Sequence, residues 1–157
     1  HPSAQPLTSP PPAPIPGPVA WLGYGGLLPF VALAAVGLLA PTTPWWSAAL
    51  LAYGAVILSF VGALHWGFAM ALSGLSTAER TRCFVWSVVP SLMAWPATLL
   101  PPAGGAALLV AGFVAHLVQD HRLAARTSLP AWYLPLRWRL TTTACVCLAV
   151  GAMAASR

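Results

Sequence analysis

Two histidines stand inside apolar runs, His65 and His116, and the second is followed at once by Gln119, Asp120 and His121. An ionisable side chain within such a run is costly to keep there, so it marks candidate chemistry. On a helix Gly112, His116 and Asp120 fall four residues apart on one face. With Gln119 and His121 they form a polar seam at the end of their segment. Imidazoles at one depth can ligate a haem or chlorin, flank a quinone, or pass protons. His65 and His116 are therefore the candidate cofactor contacts, and hydrogen-bonded interfacial histidines are the plain alternative. No His-x3-His or Cys-x2-Cys pair occurs, so no metal site is expected. Cys145 and Cys147 point about 200° apart on a helix and cannot clamp an ion together. Catalysis has little to stand on. Glu79 and Asp120 are the only acids, which leaves no carboxylate pair for acid–base work. No serine sits in a Gly-x-Ser-x-Gly elbow. Catalytic residues and a small-molecule substrate are not expected.

The elements that must position these groups follow from composition. Of 157 residues, 59% are hydrophobic and 6% charged, against roughly 25% charged in ordinary soluble domains. That excludes a disordered chain, a disulfide-stapled module and a typical soluble enzyme. It predicts an all-α integral membrane bundle. All seven basic residues are arginine, scattered in pairs without the basic, aromatic-interleaved stripe that nucleic acid requires. No nucleic-acid partner is expected; membrane lipids are.

Residues 1–18 hold eight prolines and no charged side chain. They predict an extended, polyproline-like cytoplasmic tail held by a partner. They lack the positive n-region of a secretory leader. Five transmembrane helices should follow in 19–157, over about 19–40, 45–72, 82–100, 103–120 and 135–155, each near the length that crosses ~30 Å of hydrocarbon. Ser76 and Glu79 have capping-box spacing, so the third helix can start near residue 77. Pro90 and Pro96 should kink it. Pro101 to Gly105 reads as a tight turn, and the fourth helix can run on to Thr127.

Orientation comes from the arginines. Arg80 and Arg82 follow the second run, and Arg122, Arg126, Arg137 and Arg139 follow the fourth. The positive-inside rule makes that end, and the N-terminus, cytoplasmic. Trp45 and Trp46 should mark the outer interface; Trp21, Trp86, Trp132 and Trp138 should mark the inner one.

Two further patterns concern contact. Ala55, Ser59, Ala63 and Gly67 (with Ala71 beyond) recur every four residues, a small-residue ridge for packing against a neighbouring helix. His65 should face nearly away from it. The stretch around Trp132, Tyr133, Arg137, Trp138 and Arg139 combines aromatics with arginines at the inner surface. It is expected to anchor in lipid headgroups or dock a partner. Five short spans without an inverted repeat speak against transport.

The runs Leu22-Gly23-Tyr24-Gly25-Gly26-Leu27-Leu28-Pro29-Phe30, Tyr53 to Phe60 with His65-Trp66-Gly67, Trp86 to Ser91, and Ala131-Trp132-Tyr133 resemble a family of small proteobacterial inner-membrane proteins. That family is catalogued as a domain of unknown function and has a mitochondrial transmembrane relative. The resemblance covers about residues 21–150, with Ala63 where a glycine is expected. It implies a bacterial cytoplasmic membrane, including intracytoplasmic membranes in a photosynthetic host. It also implies an energy-converting setting, but brings no activity or catalytic residue.

The function expected on these grounds is a non-catalytic accessory or assembly subunit of a larger respiratory or photosynthetic inner-membrane complex, with other membrane subunits as partners. The alternative is a cofactor-, pigment- or quinone-contacting or proton-conducting protein using His65 and His116.

Overall fold

A computed structural model describes residues 14–157, in which every regular element is helical. The elements are α1 (Gly17–Gly25), α2 (Leu28–Leu39), α3 (Trp46–Ala71), α4 (Thr77–Ala97), α5 (Pro102–Ala124) and α6 (Tyr133–Ala155). The expectation for residues 1–13 lies outside the described residues, and the predicted tail ends earlier than residue 18, since α1 begins at Gly17.

The first predicted span is two helices. Pro29 has no N–H to donate to the carbonyl four residues back, so the helix breaks at Gly26 and Leu27. Tyr53 Oη donates to the Gly26 carbonyl at 2.6 Å and secures the break from α3. The α1–α2 segment, α3, α5 and α6 are each long and apolar enough to cross a membrane. Charged residues in the first turns of α4 keep it outside that group.

Helix α4 starts where its cap dictates. Ser76 Oγ accepts from the Glu79 N–H at 3.1 Å, while Glu79 returns a carboxylate oxygen to the Ser76 N–H at 3.4 Å. Arg80 and Arg82 therefore lie in the first turns of α4, as a start near residue 77 requires. Two boundaries also move. Pro102 begins α5, because its missing N–H is harmless in a first turn, so Gly104 and Gly105 are helical rather than a turn. At the other end α5 stops at Ala124 instead of continuing to Thr127.

Helix α3 is central and contacts α2, α4, α5 and α6, most extensively α4. The packed ridge is not the predicted one. Gly54, Leu58 and Gly62 are buried, whereas Ala63, Gly67 and Ala71 face outward and only Ala55 of the expected set is buried. The reason is close fit. A Cβ on Gly62 would lie 2.6 Å from the Pro90 ring of α4, and Leu58 fills the space that a Cβ on Gly112 would need, also at 2.6 Å. Trp46, expected at the outer interface, is a core residue. It packs over Gly37 and Gly151 and donates Nε1–H to the Pro41 carbonyl at 3.2 Å. Together with Phe30, Leu50, Leu109, Phe113 and Leu148 it makes one apolar core.

Candidate functional site

At the arginine-bearing end the apolar core gives way to a buried polar cluster built from α3, α4, α5 and α6. Gly112, His116 and Asp120 do share one face of α5, and it faces inward. Gly112 lets Leu58 close over the cluster's apolar side. Neither Asp120 nor His116 has any exposed surface.

Asp120 is the hub. Its Oδ1 accepts from His65 Nε2 at 2.8 Å and from Tyr133 Oη at 2.9 Å. Its Oδ2 accepts from Arg137 Nε at 3.1 Å and faces His116 Nε2 at 3.6 Å. Arg137 Nη2 continues to Thr141 Oγ1 at 3.4 Å. One buried carboxylate is thus matched by one buried guanidinium, the condition under which such charges can be kept away from water.

Trp86 fixes the state of the second histidine. Its indole donates to His116 Nδ1 at 3.0 Å. That nitrogen therefore carries no proton, and the ring's proton sits on Nε2, aimed toward Asp120. Imidazole rings 65 and 116 touch each other edge to face, with centroids 4.9 Å apart.

His65, His116 and Asp120 bring three possible ligand atoms within 4.8 Å of one another. Their chemistry suits a hydrogen-bond network better than a cation. Both imidazole nitrogens that face the carboxylate are donors, and Arg137 already supplies the positive charge. A macrocycle has no room between two rings in contact. The remaining His116 nitrogen is occupied by Trp86, which leaves it none with which to ligate a haem or chlorin.

Outside the cluster a cleft of about 200 Å³ opens among α3, α4 and α5. Its wall includes His65, Trp86 and Gln119 with Glu79, Arg82, Arg122 and Arg126. His65 and Trp86 are the cluster's points of contact with this cleft.

Several residues singled out in the sequence are redistributed. The seam divides: Asp120 is the hub, Gln119 lines the cleft, and His121 is exposed and accepts from Trp138 Nε1 at 2.6 Å. The supposed surface stretch from Trp132 to Arg139 also divides, because α6 starts at Tyr133. Tyr133 and Arg137, four residues apart, turn inward to Asp120 and are buried, so neither can serve as a docking residue. Trp138 and Arg139 stay outside, Arg139 donating to Tyr24 Oη at 3.0 Å, and Trp132 is half-buried. Sequence alone missed Trp86 as the partner of His116, and Tyr133, Arg137 and Thr141 as the network around Asp120. The one available signal was that 133, 137 and 141 recur every four residues on α6.

A chain that is helical throughout the regular elements of its described residues, with four apolar segments long enough to cross a membrane and an ion-paired interior, is a multi-pass membrane protein. The comparisons are specific about its kind. Residues 15–153 match the family described as protein of unknown function (DUF3429), and the chain belongs to that family. It is also similar to transmembrane protein 69 of Xenopus tropicalis, with 35% identity over 135 residues, covering 82% of this chain and 51% of that protein. The chain thus spans about half the length of this curated relative. No solved structure matches.

Proposed function

We propose that the protein is a non-catalytic accessory subunit of a larger bacterial inner-membrane assembly. In this proposal the N-terminus and the arginine-rich end face the cytoplasm, and α4 forms a fifth span. The observation that carries the reading is an unused helix-docking face. Ala63, Gly67 and Ala71 form a small-residue stripe on the outside of α3, and a Cβ on Gly67 would meet nothing within 4 Å. In lipid, where hydrophobicity does not drive helices together, such stripes let a second helix approach closely. Non-catalysis is supported by the cluster itself, since both oxygens of Asp120 are already engaged. The respiratory or photosynthetic setting rests on the sequence resemblance alone.

The alternative, a pigment-, quinone- or proton-handling protein, has less support. Beyond His116 the interior is closed by Leu58, Leu109 and Phe113, so a proton chain from the cleft ends in apolar packing.

The test is Gly67→Leu in the full chain, extracted from its own membrane in mild detergent. The wild type should migrate within a larger assembly, and the variant should keep its fold but lose its partners. A wild-type protein that runs alone, or a variant that retains its partners, overturns the proposal. Reporter fusions at residues 41–44 and 73–76 test the orientation; cytoplasmic signal at the former would reverse it.

A further inference from the structure

Arginines at one end of a bundle are ordinary for a membrane protein, but three of these converge on one concavity. Arg82 comes from α4, Arg122 from the last turn of α5, and Arg126 from the turn that follows it. All three line the cleft of about 200 Å³ whose wall reaches His65. Among the described residues no carboxylate lies within ion-pairing distance of any of the three, and none of their guanidiniums donates a hydrogen bond. Other arginines are engaged: Arg80 with the Ala69 carbonyl, Arg137 with Asp120, and Arg139 with Tyr24. Glu79 is the single acid in the cleft, and it is drawn back toward the Ser76 N–H by the α4 cap.

Three guanidiniums against one carboxylate leave the cleft strongly positive, with donor forks arriving from two helices. Planar forks match oxyanions, and donors from more than one direction suit a tetrahedral group better than a flat one. The size agrees. Whole organic ligands ordinarily occupy about 300–1,000 Å³, so this cleft takes a small group rather than a large cofactor. Gln119 adds an amide at the wall. Arg122 also borders an apolar groove of about 630 Å³ between α5 and α6, which runs along Val114, Val118 and Val146. An acyl chain laid in that groove brings its headgroup to the same guanidinium.

We propose that this cleft is a binding site for a phosphate-type oxyanion, held by Arg82, Arg122 and Arg126, with His65 at its wall. The site is independent of the docking face on α3. Its phosphate comes either from an anionic phospholipid headgroup or from a free phosphate compound.

The experiment uses the full chain purified in detergent. One arm titrates inorganic phosphate by calorimetry; the other reconstitutes the protein with phosphatidylglycerol or phosphatidylcholine and counts retained lipid by native mass spectrometry. Saturable binding in the first arm identifies a free phosphate ligand. Selective retention of phosphatidylglycerol with no response to inorganic phosphate identifies a lipid headgroup. In either case Arg122→Gln and Arg126→Gln should each weaken binding about tenfold, whereas Arg139→Gln, outside the cleft, should leave it unchanged. The cleft guanidiniums make no hydrogen bond or ion pair within the fold, so the variants should keep the wild-type circular dichroism. Absence of binding in both arms overturns the proposal. So does equal weakening by Arg139→Gln, which would reduce the effect to surface charge.

Discussion

The two ends of this bundle are held together by different physics. Toward the Trp46 end, shape does the work: Gly37, Gly105 and Gly151 leave hollows that Trp46, Leu51 and Leu50 fill. Toward the arginine-bearing end, Asp120, Arg137, Tyr133 and His65 hold α3, α5 and α6 by charge and directed hydrogen bonds, and the Trp86–His116 bond adds α4. The first kind of contact tolerates small errors by shifting side chains. The second does not, because a partner left behind is a buried charge in a medium without water.

That contrast predicts a ranking. Asp120→Ala strands the Arg137 guanidinium and should cost about 3–5 kcal/mol, read as SDS-induced unfolding in mixed micelles. Removing Arg137 as well, in Asp120→Ala/Arg137→Met, should recover part of the loss; a double variant worse than the single one would show that charge is not what matters there. Gly62→Ala should come next. It places a methyl against the Pro90 ring, which cannot rotate away, and should cost about 1–3 kcal/mol in the same assay. Tyr133→Phe removes one of the hydrogen bonds to Asp120 without stranding a charge, for about 1 kcal/mol. Smallest is Gly67→Ala, on the open face of α3, which should leave stability unchanged or raise it slightly through helix propensity. Equal costs for Gly62→Ala and Gly67→Ala would erase the distinction between a filled and an open glycine face.

Much of this could be read from sequence where the cause was local. The Ser76–Glu79 cap needs only residues three apart, and it starts α4 at Thr77. The Gly112–His116–Asp120 face needs only helical periodicity. The membrane spans follow from length and apolarity, although Pro29 splits the first. What failed was deciding which face of a helix points inward. Both Gly54–Leu58–Gly62 and Ala63–Gly67–Ala71 have the right spacing, and in a bilayer the outside is as apolar as the inside. Pattern alone therefore cannot choose between them. Arg137 was misplaced for a related reason. An arginine near the membrane boundary ordinarily marks orientation, and its inward turn depends on Asp120, seventeen positions earlier on a different helix.

The Pro90 ring seated on Gly62 also acts as a mechanical lock. Helix α4 can neither slide along α3 nor roll across it without lifting a rigid ring out of its socket. The pair should consequently move as one body. The opposite extreme is α1, which has no buried residue and is tied to α6 by the Arg139–Tyr24 bond and contacts at Gly23. Disassembly of the bundle should therefore proceed from the amino-terminal helix inward. Hydrogen exchange should be fast in α1 and slowest where α3 and α4 are locked together.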